Sequence, residues 1–295
     1  MMRWIGIMVC VLVLAACQSK KSDRPSIYEG RINVGMDESI GAIIHAETDG
    51  YRMHYPRASF DNYVMPENTA VKLLLEDSMD VICITRTLNE EEMKVLEKRE
   101  ITYKPAPMAL DAVVLVMNRE AQRTGISLAE LRQLFTSGDS PVKLVFDSGN
   151  SSNLNQVLGR LGITDFSRKN VVAAGGNQKV FDWVQKDRNA IGFVGYNLIS
   201  EKSSEVTREL KNSVKILNVS GDGAGVLPSK TTILDQTYPF HRTIYLHTLG
   251  TAWGVENGFI RFACSKPGQL IAEKMGLVPY YAIPKEFVLS KESLD

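Results

Sequence analysis

Four cysteines and four histidines in 295 residues leave little material for the chemistries that depend on them. His45, His54, His241 and His247 stand at no ligand spacing from one another or from a cysteine, so neither a metal site nor a cofactor is expected. No Gly-x-Ser-x-Gly elbow occurs, and the histidines have no motif context, which argues against an enzyme built on a nucleophile and its base. An excess of either charge is missing too. Lys+Arg and Asp+Glu both number 34, so no nucleic acid partner and no solvating acidic tail is indicated, and charge-driven binding has to be local. Internal repeats and low-complexity tracts are absent.

The N-terminus holds the one sustained apolar run. Arg3 precedes residues 4–14, too short to span a bilayer comfortably, and Ala15-Ala16-Cys17 closes the run before the polar residues 18–25. That pattern is a secretory signal. Leu14-Ala15-Ala16-Cys17 looks like a bacterial lipobox, which implies a signal peptide at 1–16, acylation of Cys17 and a lipidated tether at 17–26. Ordinary cleavage with Cys17 incidental is the alternative. Either way the mature chain is expected in the cell envelope on the periplasmic side, and with the acyl chains it is membrane-anchored. Cys83 and Cys264 read as buried small hydrophobes, and whether they pair is left open.

The mature chain alternates two periodicities. Residues 31–36, 80–85, 112–117, 190–194 and 214–219 read as strands, while 69–76 and 178–186 read as helices. Asn89-Glu90-Glu91-Glu92 opens a helix with acids in its first turn, and Ser127-Leu128-Ala129-Glu130 forms a capping box before Leu131, Leu134 and Phe135. An α/β protein with mostly parallel sheets follows. Gly221 to Gly225 reads as a connecting loop because Pro228 follows it closely, and Trp183 and Trp253 read as packing residues.

Residues 143–158 organise the rest. The β-type run Lys143-Leu144-Val145-Phe146 breaks at Asp147-Ser148-Gly149-Asn150-Ser151-Ser152-Asn153, and helical spacing begins at Leu154 with Val157, Leu158 and Leu161 on one face. A helix N-terminus carries unpaired N–H groups and the positive end of the dipole, so a loop of small hydroxyl and amide side chains there suits an anion. Ser151 or Ser152 can equally just cap the helix.

Several stretches resemble one family in the right order. Residues 80–91 resemble its strand ending in a Ser-Arg-Pro-Leu-type turn, and residues 147–153 occupy the place of its Ser-Gly-Thr anion loop. Ile191-Gly192-Phe193-Val194-Gly195-Tyr196 is similar to its Ile-Gly-Tyr-Val strand, and Tyr238-Pro239-Phe240-His241-Arg242 to its Tyr-Pro-x-x-Arg return strand. Ser265-Lys266-Pro267-Gly268-Gln269 with Gly276-Leu277-Val278-Pro279 resembles its C-terminal helix and tail. The family is that of the phosphate-binding receptors of ABC transporters, and the matches run from about Arg31 to Pro279.

The resemblance implies a two-lobed type II periplasmic binding protein fold, α/β with mixed sheets flanked by helices and a cleft between the lobes. Lobe 1 would comprise 27–112 and 243–295, lobe 2 would comprise 113–242. It implies capture of phosphate, or a similar oxyanion such as sulfate or molybdate, by a monomer that delivers it to a membrane permease. Ser39, Asn68, Thr69, Thr85 and Arg86 would approach from lobe 1, and Asp147, Ser148, Gly149, Asn150, Ser151, Ser152 and Asn153 from lobe 2. A surface lipoprotein that reuses the scaffold for adhesion or signalling is the competing reading. The chain departs from the pattern at Asp37-Glu38-Ser39, which puts two carboxylates in the first loop, and at Val145-Phe146, where the family has an arginine. A carboxylate beside the anion would favour phosphate, which keeps a proton to donate, over fully ionised sulfate. Asp147 can instead hold its own loop by an Asx-type bond.

Overall fold

The computed structural model describes residues 25–282, apart from 138, 139, 167, 168, 202 and 222. The apolar run and Cys17 lie outside the described residues. Twelve strands are described: β1 (Glu29–Met36), β2 (Arg57–Val64), β3 (Val81–Ile84), β4 (Ala106–Asn118), β5 (Gly125–Ser127), β6 (Lys143–Phe146), β7 (Val171–Ala173), β8 (Ala190–Gly195), β9 (Val214–Ile216), β10 (Asn218–Ser220), β11 (His241–His247) and β12 (Val278–Pro279). Most join one sheet in the order β2-β1-β3-β11-β4-β8-β6-β7, with β9 and β12 also pairing on β4, while β5 and β10 form a separate pair. Among the described residues no helix is long and apolar enough to cross a membrane.

Strand β4 divides this sheet in two. Its first half pairs with β11, His241 opposite Ala112, and its second half pairs with β8, Gly195 opposite Val113. The strand therefore changes partner within two residues. Outer pairs on both sides are parallel, β1 with β2 and β3 in one half, β6 with β7 and β8 in the other. Antiparallel pairing gathers around β4 and β11, so the sheet is more mixed than the alternation of strands and helices alone suggests.

The period of two in each strand feeds separate cores. Val113, Leu115 and Met117 of β4 enter a cluster with Leu144, Phe146, Phe193 and Phe240, whereas Val114 and Val116 face a second with Val145, Val180 and Val194. In the other half, Val81 and Cys83 of β3 pack with Ile43, Ile44 and Phe259, while Ile82 and Ile84 pack with Val71, Leu74 and Leu96. Each half-sheet is thus covered on both faces, which is why its central strands are near-continuous in apolar residues.

The expected elements at 31–36, 69–76, 80–85, 112–117, 178–186 and 190–194 are present with shifted ends. The apolar run at 214–219 is not one strand: β9 ends at Ile216 and pairs with β4, and β10 pairs with β5. Trp183 and Trp253 do not pack as expected. They are 39% and 56% exposed, and the Arg261 guanidinium lies 5.7 Å from the Trp253 ring centre. Cys83 is buried, Cys264 half-buried, and both are free thiols.

Candidate functional site

Where β4 changes partner, two buried groups face each other across the strands. Arg242 of β11 is the register partner of Asp111 of β4, and its Nε and Nη2 donate to Asp111 Oδ2 at 2.9 and 2.7 Å. Both side chains are fully buried. The rest of the guanidinium points at two serines: Nη1 donates to Ser152 Oγ and Nη2 to Ser39 Oγ, each at 3.1 Å. Ser39 Oγ and Ser152 Oγ are themselves 2.8 Å apart. One residue from each half of the molecule and one from the strand between them therefore converge on a point.

Each serine is placed by a strand-to-helix turn. After β1 the chain enters Asp37-Glu38-Ser39, where Asp37 Oδ1 accepts the Ser39 N–H at 2.9 Å and caps a short 3-10 turn ahead of the helix Gly41–His54. After β6 comes the loop 147–151 and then the helix Ser152–Leu161, capped by Ser151 Oγ accepting the Leu154 N–H at 3.2 Å. The two open readings of the serine pair thus divide. Ser151 is the cap, and Ser152, one residue on, is free to reach across the cleft.

What Ser152 reaches first is a carboxylate. Its Oγ donates to Asp37 Oδ1 at 2.6 Å and its backbone N–H to Asp37 Oδ2 at 3.4 Å. Thr85 is engaged in the same way, its N–H and hydroxyl both donating to Glu67 Oε1 at 2.6 and 2.7 Å. Asp37, Glu67, Asp111 and Asp147 are all buried here with Arg242 as the buried guanidinium. Burial and then the nearby Asp37 raise the Glu67 carboxyl above its usual range, and the same two causes in the same order push Asp147 up to about 6. Asp147 Oδ1 accepts from Asn153 Nδ2 at 3.1 Å, so it braces its own loop. Asp111 keeps one buried oxygen, Oδ1, with no hydrogen-bond partner among the described residues.

The remaining expected residues sit at the margin. Ser148 is half-buried, and Gly149, Asn150, Asn68 and Thr69 are exposed. The Arg86 guanidinium forks onto Glu92 at 2.7 and 2.8 Å and donates to Asn68 Oδ1 at 3.1 Å, and it approaches the buried cluster at Glu67, 3.9 Å from Nε. Glu92 also closes the capping box with Asn89, so Arg86 serves that turn. Behind it, the buried His247 Nδ1 pairs with the Tyr103 hydroxyl at 2.7 Å. The sequence reading left out Arg242, Asp111 and Glu67. Arg242 carried a signal, because it lies in the buried phase of an alternating strand with Ile244 and Leu246.

A two-lobed α/β chain with serines converging from two helix-opening turns now meets its relatives. A family model described as the PBP superfamily domain matches residues 30–267. The chain belongs to the PBP superfamily. Among its relatives, protein SphX of Synechococcus elongatus is 27% identical over 232 residues, a match covering 70% of this chain and 65% of SphX. The phosphate-binding protein PstS of Staphylococcus saprophyticus is 22% identical over 297 residues, covering 96% of this chain and 89% of PstS. An ABC-type phosphate transport receptor from Vibrio cholerae superposes with a TM-score of 0.65 at 18% identity, over 84% of this chain and 99% of that one. The fold is therefore the type II periplasmic binding protein fold.

Proposed function

We propose that the protein captures inorganic phosphate outside the cytoplasm and hands it to the permease of an ABC importer, without chemical turnover. The observation that carries this reading is the convergence of Ser39, Ser152 and Arg242, with oxygens and nitrogens 2.8 to 3.1 Å apart, drawn from both halves and from the strand between them. Hydroxyl and guanidinium donors aimed at one point fit a small oxyanion, and removing them from water strengthens each charge-assisted bond. The phosphate-binding names of the relatives support the same ligand.

In this reading the lobes are 27–112 with 243–295, and 113–242, the division falling where β4 changes partner between Ala112 and Val113. Arg242 supplies the guanidinium, while Val145 and Phe146 stand where the family carries an arginine before its anion loop. Ser39 and Ser152 bind the ligand directly, Asp147, Ser151 and Asn153 hold the lobe 2 loop in shape, and Thr85 becomes a donor when Glu67 releases it. Asp111 Oδ1, which has no partner among the described residues, is an acceptor for the ligand's proton. Cys17 carries the lipid that ties the monomer to the membrane beside its permease. Calorimetric titration of the purified protein with inorganic phosphate tests the core of this reading. Saturable heat at one phosphate per chain is expected, and no heat at millimolar ligand would refute it.

A further inference from the structure

The turn 37–39 is attached to the opposite half of the molecule by all three of its residues. Asp37 holds Ser152, the first residue of the helix Ser152–Leu161. Glu38 Oε1 accepts the backbone N–H of Asn177 at 3.0 Å, and Asn177 Nδ2 donates back to the Glu38 carbonyl at 3.3 Å. Asn197 Nδ2 donates to the Ser39 carbonyl at 3.1 Å. Three neighbours in sequence thus grip three separate elements.

Two of these grips use helix N-termini. Asn177 opens the helix Asn177–Lys186, whose N-cap is Gly176, a residue with no side chain to satisfy the first N–H groups. Glu38 supplies that acceptor from elsewhere in the chain, and its charge suits the positive end of the dipole. The fit is close: Gly176 has φ +133°, and a Cβ built on it would stand 3.3 Å from Glu38 Oε1. Gly195 leaves similar room, since a Cβ there would meet Asn197 Oδ1 and lie 3.3 Å from the Ser39 carbonyl.

We propose that the acidic turn Asp37-Glu38-Ser39 is a latch, whose tethered carboxylates hold the two halves together on the helix N-termini, so that an oxyanion enters only by displacing them. The displacement half of this proposal rests on the cleft being the oxyanion site. Ser39 and Ser152 already touch, so the serines must part before a ligand can lie between them. A carboxylate fixed beside its donors competes at high effective concentration. The fraction of molecules with the latch released then scales the apparent affinity.

Glu38→Ala, alone and with Asn197→Ala, tests the latch by small-angle scattering and by titration with inorganic phosphate. The radius of gyration is expected to rise in the variants and to return toward the wild-type value at saturating phosphate. Phosphate affinity is expected to rise about tenfold, the size of one lost charge-assisted bond. If Glu38 only caps a helix, the variants melt earlier with an unchanged radius and an affinity equal or lower, and that result overturns the latch. Should Glu38→Ala not fold, Glu38→Gln keeps the shape without the charge and carries the same comparison. If wild type and variants all ignore phosphate, the radius still decides the latch, and only the phosphate reading falls.

Discussion

Both carboxylate oxygens of Glu47 are buried without a hydrogen-bond partner among the described residues, and burial pushes its pKa up to about 9. Its ordinary value is 4.5, so the folded chain holds a proton there that the unfolded chain gives up. Stability from this group is complete below pH 4.5 and is lost as pH rises toward 9, at up to roughly 1.4 kcal/mol per unit. Glu47→Gln removes that loss. Denaturant unfolding at pH 5, 7 and 9 is expected to show the variant gaining on wild type at each step, and a constant difference would contradict it. Arg242 and Asp111 form the other buried charge problem. Arg242→Met leaves Asp111 without its counter-charge and is expected to cost about 3–5 kcal/mol, whereas adding Asp111→Leu restores most of the stability. The double variant should still fail to bind phosphate in titration. Wild-type affinity in that protein would remove Arg242 from the site. Arg242 was legible in the sequence as a charge on the buried phase of β11, but Asp111 was not, because cross-strand partners depend on a register that the sequence does not display.

Adjacent residues of one turn do different work at the scale of elements. Ser151 caps the helix Ser152–Leu161, so Ser151→Ala is expected to lower stability by about 1 kcal/mol with little change in phosphate affinity. Ser152→Ala removes a donor at the convergence point and is expected to weaken phosphate about tenfold or more. Thermal melts and titrations of the pair separate the two roles, and equal losses of affinity would contradict them. The turn itself was legible, as strand, small polar loop and helix. Which serine caps was not, since a shift of one residue exchanges the roles. The run 214–219 failed for a related reason: Leu217 donates its N–H to Leu115 while Asn218–Ser220 joins another sheet, and apolar content does not record a change of partner. Strands β3 and β8 were plain because they are buried on both faces.

The whole molecule is organised by β4 and β11, which carry Asp111 and Arg242 to the line where the two half-sheets meet. The order of motifs along the chain conveyed this architecture better than any single stretch, because five weak matches in sequence constrain the topology together. Asp37 and Asp147 were legible as carboxylates beside the expected anion loops, whereas Glu67 and Asp111 emerged only from the fold, which gathers all four buried carboxylates near Arg242 from distant segments. Attachment belongs to this scale as well. With Cys17→Ala the protein is expected to leave the membrane fraction or to remain unprocessed, and unmodified mature chain in the soluble fraction of wild-type cells would contradict the lipid anchor.

The carboxylates around Arg242 bear most directly on which oxyanion the cleft accepts. Phosphate near neutral pH can donate a proton to a buried carboxylate, whereas sulfate can only accept and meets repulsion. Parallel calorimetric titrations of the wild-type protein with phosphate and sulfate at pH 7 therefore test the account at its centre. Phosphate is expected to saturate at one per chain, with sulfate weaker by at least about tenfold, the size of one charge-assisted bond. Sulfate binding as tightly as phosphate, or neither binding at all, would contradict it.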